Sequence, residues 1–491
     1  MKEIFKDSIT ILKGKVDDRQ SMQYGMVGFD VPSGVTSLRI SICRTSEKEA
    51  QLPVALFDNL GNARIFKASE GFSGEGSEEY VISSTFASDG AIKGPVGEGK
   101  WKLILYKRRF FEDIVVNISV EAEFGDEISV TDESYSFMTA VKNNSPGWYK
   151  GELHVHSSES TGRTSVEQVL ATADRYKLDF LALTDHFTAS HWARIEDCYK
   201  KHDVLPIASM EVSGDKGHAN VHNIKKWINP LVDDNERLSR FLGLDEQPSM
   251  STIADAVHAQ GGIFGINHPL SGMVGWHYPK FPMEKCDLID AWATPDQDVA
   301  MLYPTLWDNY LAQGYRLIGV GSSDSHNPDQ ENGPWTFGQI YTNIYADSLS
   351  ADAIVAGLKR GRVYVSMGSA HMDFTAQYKG STYYMGDRIP YDGGQIDFEF
   401  SIDDNTSGNL FVMVSSQLSL IEYIKSAKEA GAQSVCFSLN ENDIRFISDR
   451  FAFIRLEFYE DTVKSRFWGM AWKDSKSMRL LSNPIWIDYK R

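Results

Sequence analysis

Eleven of the twelve histidines of this 491-residue chain lie between positions 154 and 326, about a third of its length. Imidazole at that density binds metal or moves protons. Here it is interleaved with carboxylates: His154 and His156, Asp185 and His186, Glu211 and His218, then His268, then Asp324 and His326. Such nitrogen and oxygen donors suit zinc, manganese or iron(II), and one carboxylate can bridge two cations about 3.5 to 4 Å apart. Hydrolysis by activated water is what a site of this kind does best. Thiols take no part, because Cys43, Cys198, Cys286 and Cys436 form no CxxC pair, so neither a thiolate zinc site nor a disulfide framework is expected. No GxSxG elbow, Walker loop or complete GxGxxG offers a rival chemistry.

Residues so far apart in sequence need a scaffold that brings them together. His154 and His156 are two apart, so in a strand both rings leave the same face of the pleat. Short apolar runs, ELHV, FLALT, PIASM, GIFGIN, LIDAWA and LIGVGSS, alternate with helical patterns. Ser165 is placed to cap a helix with Val166, Val169, Leu170 and Ala173 on one face; Ser350 is placed to cap another, with Ile354 and Leu358 inside and Gly361 at its end. This βα alternation argues for a parallel barrel, whose functional groups gather at the C-terminal ends of the strands. Every ligand candidate above lies at or just beyond such an end.

The flanks are different. Residues 1–145 read as strands separated by turn clusters (SITILKGKV, YGMVGFDV, VTSLRISIC, PVALFD, EEYVISSTF, KWKLILYK, IVVNISVEAEF), which predicts an antiparallel β-sandwich. KNNSPG (142–147) is the expected linker to a central domain over 149–370. A second β-rich domain is expected over 371–491, interrupted by one helix around LIEYIKSAKEAG. A composition of 42% apolar and 24% charged residues is that of a folded globular protein. A net charge of -18 removes the phosphate attraction that a nucleic-acid binder needs. MKEIFKDSITILKG lacks the apolar run of a secretory signal and no 18-residue apolar stretch occurs, so a cytoplasmic protein with no membrane partner is expected.

ELHVHS, ALTDH, MEVSGDKGHANV, INHP and SDSH, in that order, resemble the five motifs of the PHP (polymerase and histidinol phosphatase) metal-dependent hydrolase superfamily. GHANV, INHP, GVGSSDSH and GRVYVS look most like its CehA/McbA branch. The resemblance spans about 149–370 and implies a distorted (β/α)7 barrel with two or three divalent ions. By that resemblance His154, His156, Glu211 and Asp324 hold one ion, and Glu211 bridges to a second held by His218 and His268. His186 and His326 belong to a third site or to the shell that positions phosphate and water; Asp185 is a ligand or orients a neighbouring histidine. Ser160, Thr161 and Gly162 stand where many members carry a third-site histidine or aspartate, and Glu159 is the nearest carboxylate, so two firmly held ions and a weak third are expected. His326, where metal does not saturate it, is the candidate for protonating the leaving group.

Around this core, His191 and Trp192 are read either as lining or as packing residues. The loop SGMVGWHYPKFP offers Trp276 and His277 as a lid for an aromatic leaving group, and Arg362 in GRVYVS is read as a contact for an anion. His222 and His258 are expected on the surface; Ala219 stands where an HEXXH motif needs its glutamate. The implied substrate is a small-molecule ester. Phosphoester hydrolysis is placed first, although only Arg163 and Arg362 are basic candidates; carbamate or carboxylic-ester hydrolysis, as in the CehA/McbA branch, comes second. A reading from another class is a catalytically inactive scaffold with glycan- or protein-binding β domains.

Overall fold

The computed structural model describes residues 1–490 except 15–18, 21–23, 68–71, 108–109, 127–134, 244–247, 273, 294–301, 330–335, 369, 403–407, 416–422, 426–432, 445, 448–449 and 461–477. Seven strands carry the candidate ligands or adjoin them: β1 (Gly147–Val155), β2 (Phe180–Leu183), β3 (Leu205–Gly214), β4 (Gly217–His222), β5 (Ile263–Ile266), β6 (Leu288–Ala293) and β7 (Ile318–Ser322). They are neighbours in that order. Pairing is parallel except on both sides of β4, which turns back on β3 as a hairpin and pairs antiparallel with β5 as well. Just past β7, Ser325 bridges Val155 in parallel, so the last strand of the run returns to the first.

Helices α1 (Val166–Arg175), α2 (Ser190–Cys198), α3 (Met250–Ala259), α4 (Leu302–Ala312) and α5 (Ala351–Arg360) intervene or follow. The expected caps are present. Ser165 and Gln168 exchange hydrogen bonds in a capping box, Ser350 Oγ accepts the Ala353 N–H, and Gly361 ends α5 at φ 79°. The strands are short and buried on both faces, β2 and β5 without one exposed residue, because helices and flanking sheets cover them.

Two four-stranded sheets occupy the N-terminal region. One orders Lys2–Ile11, Ile114–Phe124, Val35–Ala50 and Phe72–Ser83; the other orders Tyr24–Val31, Gly99–Tyr106, Val54–Phe57 and Ala63–Lys67. Alternating side chains such as Ile40, Ile118, Trp101 and Leu103 share one core between them, which is the sandwich arrangement. The outer face of the second sheet is also apolar: Phe57, Phe66 and Ile104 pack with Leu231, Leu238, Phe187 and Trp227 of the central region.

On the C-terminal side the central sheet continues rather than stops. Val363–Met367 pairs with Met478–Ser482, which pairs with Phe451–Glu460. Arg455, 1% exposed, grips both oxygens of Asp308 on α4 at 2.6 and 2.5 Å and Glu457 at 2.7 Å. Two expectations need correction. KNNSPG is no free linker, since Val141–Asn143 is a short strand paired with Leu349–Ser350, and Lys142 Nζ donates to the Tyr199 and His202 carbonyls. Of the helix expected at LIEYIKSAKEAG, the described residues Tyr423–Lys425 form a strand paired with Gly408–Leu410; the rest lies outside the described residues. Among the described residues no helix is long and apolar enough to cross a membrane.

Candidate metal centre

Glu211, fully buried near the end of β3, is the hub. Its Oε1 lies 3.1 Å from His218 Nδ1, 3.5 Å from His154 Nε2 and 3.6 Å from His268 Nε2; its Oε2 lies 2.8 Å from His186 Nδ1 and 3.4 Å from His156 Nε2. Asp324 Oδ1 is 3.1 Å from both His154 Nε2 and His156 Nε2. Donor atoms cluster in three overlapping groups: His154, His156 and Glu211; Glu211, His218 and His268; His156, His186 and His326. Glu211 Oε2 is buried with no hydrogen-bond partner. A buried carboxylate whose two oxygens face five imidazoles, three at Oε1 and two at Oε2, is costly unless positive charge joins it, and divalent cations fit this donor set.

The electrostatics run the same way. Burial, helped by His326 and His186, pushes the His156 imidazole well below its ordinary range, into the neutral form that ligates metal. Burial would also lower His154, but the Asp324 and Glu211 carboxylates outweigh it and raise that ring to about 10. Burial opposes ionisation of Glu211 and Asp324, yet the surrounding histidines hold both well below the usual carboxylate range. Charge is balanced inside the cluster rather than by solvent.

A layer of buried polar residues that the sequence reading did not single out aims the ligands. Asp290 in LIDAWA accepts the His268 N–H at 2.7 Å and the Ser322 hydroxyl at 3.1 Å. Glu152 in ELHV accepts the Ser323 N–H at 3.1 Å and the His154 N–H at 3.0 Å. Asn267 Nδ2 donates to Glu211 Oε1 at 2.9 Å. His268 and Asp324 sit at φ 28° and 50°, in the left-handed region uncommon for residues other than glycine, so these carboxylates hold backbone that would otherwise relax. The signal available in the sequence was a single acid inside each apolar strand.

Asp185 falls in none of the three groups. Its oxygens accept the Ser157 N–H at 2.8 Å and the Ser157 and Ser160 hydroxyls at 2.6 Å each, and it lies 3.4 Å from His191 Nδ1. His191 is buried against the Ser209 carbonyl. His326 donates from Nδ1 to the Asp324 carbonyl at 3.0 Å. Trp276 packs on Tyr278 and Phe281, while His277 is exposed and only its backbone N–H, donated to the Lys216 carbonyl, ties it down. Arg362 is far from the cluster: it stacks between Tyr345 and Tyr384 at 3.8 and 3.9 Å. Tyr345 pairs with Trp148, so Arg362 stands six residues up β1 from His154, roughly 20 Å at the usual strand rise.

His222 corrects an expectation of exposure. It is 2% exposed with Nδ1 3.0 Å from Ser209 Oγ, because β4 is a strand in which 218, 220 and 222 share one face. His258 is half-buried and pairs with Asp287 at 2.7 Å.

Residues 152–256, from β1 into α3, match the PHP domain family model. Among solved structures the chain is similar to a two-domain protein from Bacteroides vulgatus containing a predicted PHP-like metal-dependent phosphoesterase, at 15% identity over 75% of this chain and 100% of that one, with a TM-score of 0.39. It is also similar to an amidohydrolase from Chromobacterium violaceum with bound sulfate and no metal, at 15% identity over 38% of this chain and 93% of that one, with a TM-score of 0.27. No curated protein sequence matches the chain.

Proposed function

We propose that this protein is a metal-dependent hydrolase of small-molecule phosphoesters, and that β1 to β7 form the distorted PHP barrel, of the CehA/McbA type, that carries its site. The observation behind the reading is the buried Glu211 carboxylate with five imidazole nitrogens within 3.6 Å and Asp324 beside them. Two ions would be held with Glu211 as a shared ligand, one by His154, His156 and Asp324 and one by His218 and His268; His156, His186 and His326 would offer a third place beside them. When bound, such ions lower the pKa of water and polarise the electrophilic oxygen.

The chain's own residues supply the rest. Because the Asp324 carbonyl can only accept, His326 carries its proton on Nδ1 and turns Nε2 outward, and its side chain is 40% exposed. Where no ion occupies the third place, that leaves Nε2 to take a proton and pass it to the leaving-group oxygen. Arg163 donates its backbone N–H to the His326 carbonyl and exposes its side chain at the same rim, which suits an anionic substrate.

The test is a hydrolysis panel on metal-reconstituted protein: p-nitrophenyl phosphate, its bis-ester, p-nitrophenyl acetate and a naphthyl N-methylcarbamate, each beside Asp324→Ala. Phosphoester turnover abolished in Asp324→Ala is the expected result. Turnover confined to the acetate or carbamate moves the assignment to ester or carbamate hydrolysis, and no turnover with metal bound points to a scaffold.

A further inference from the structure

We propose that the N-terminal sandwich is a working part of the metal centre, gripping the loop 157–163 through Glu159 and thereby holding His156, His186 and His326 in register. This rests on the metal-site reading above and deepens it.

The loop touches the backbone or the neighbour of each of those histidines. It begins directly after His156, and Gly162 approaches so closely that a Cβ there would lie 2.4 Å from the His156 carbonyl oxygen. Ser157 and Ser160 bind the carboxylate of Asp185, next to His186. Arg163 donates its N–H to the His326 carbonyl at 2.8 Å. Within this loop Glu159, 2% exposed, turns away from the imidazoles toward the sandwich. Its Oε2 accepts the Gly90 N–H at 2.9 Å, and its Oε1 accepts Arg194 Nε at 3.2 Å; Arg194 also reaches Asp89 and the Ala87 carbonyl. Gly90 sits at φ 76°, and a Cβ there would press on the Glu159 carbonyl at 3.2 Å. A second contact acts on His186 directly. Phe187, at φ 63°, donates its N–H to the Glu211 carbonyl and stacks its ring 4.0 Å from Phe66 of the sandwich. Phe66 in turn donates its N–H to the Gly90 carbonyl, so both grips spring from one corner of the sandwich.

Glu159 is therefore a positioning residue, not a ligand, and the carboxylate that the sequence leaves nearest to the third site serves as its anchor. This donor group is made of three imidazoles and only borders the carboxylates, Glu211 Oε2 at 2.8 Å from His186 Nδ1 and Asp324 Oδ1 at 3.1 Å from His156 Nε2, so the mutual placement of the rings matters there.

The experiment is a chelator competition on the full chain loaded with manganese or zinc, with bound metal counted by elemental analysis, for wild type, Gly90→Ala, Phe66→Ala and Glu159→Gln. Loss of an outer partner typically weakens metal binding by about 10- to 100-fold. The expected result is a loss of that size in Gly90→Ala and Phe66→Ala for metal held through His156, His186 and His326, with the ion at Glu211, His218 and His268 unchanged. Glu159→Gln, which still accepts from Gly90, loses less. Thermal melts report folding, and Glu159→Gln carries the test where a stronger variant unfolds. Unchanged affinity for every ion in folded variants overturns the inference; a wild type that binds no metal instead overturns the metal-site reading beneath it.

Discussion

Five imidazoles crowd one carboxylate at Glu211, and every member of that cluster belongs to a motif that marks it. HxH, the DH pair and DxH are legible because ligand chemistry restricts residue type, and type is what a sequence displays. The roles of Asp290 and of Glu152, although Glu152 opens ELHVHS, are not legible, because their work is to accept backbone N–H groups that only the fold brings to them. His222 shows the opposite error: its type matches a ligand, but burial and Ser209 occupy it. That burial has a measurable consequence. The ring is lowered to about 3 and is neutral in the fold, whereas in the unfolded chain it protonates near 6.5. Its contribution to stability is complete above pH 6.5 and is lost as pH falls toward 3, by up to about 1.4 kcal/mol per pH unit. Urea unfolding of metal-free protein at pH 7.5, 6.0 and 5.0 is expected to show a flatter decline for His222→Gln than for wild type; equal slopes would contradict this.

At the scale of elements, the strands that end in ligands were readable from apolar runs punctuated by polar residues, and the helix starts from Ser165 and Ser350 were readable because capping is local chemistry. β4 was not, since GHANVH mixes small and polar residues and becomes a strand only by pairing with β3 and β5. The short C-terminal strand at Tyr423–Lys425 was hidden in the same way, behind a helical spacing. Ligands at strand ends need the strands to be locked where they meet, and Asp290 is one such lock, joining β6 to the residues after β5 and at the end of β7. Replacing it with alanine leaves the His268 N–H without its acceptor. We expect Asp290→Ala to weaken metal binding roughly 10-fold or more and to cost about 1–3 kcal/mol in stability, with Asp290→Asn close to wild type. Chelator competition and denaturant melts check both, and an alanine variant with wild-type affinity would remove Asp290 from the supporting layer.

For the whole molecule, the sandwich was legible from alternation, since each strand shows its own core face. What the sequence hid is how the flanks bear on the centre. Those links are few and long-range: Gly90 with Glu159, Phe66 with Phe187, Arg455 with Asp308. No local pattern encodes a partner 69 or 147 residues away. The first two links tie the sandwich to the loop and strand end beside the cluster, and the third ties the C-terminal sheet to α4. The cluster centres on Glu211, which, like His156, is shared by two of the three donor groups. The most direct measurement is therefore the metal content and affinity of wild type beside Glu211→Gln, by elemental analysis after dialysis against a divalent-metal buffer. The account predicts at least two tightly held ions in wild type and the loss of both in a folded Glu211→Gln protein. Equal metal content in the two proteins would contradict it.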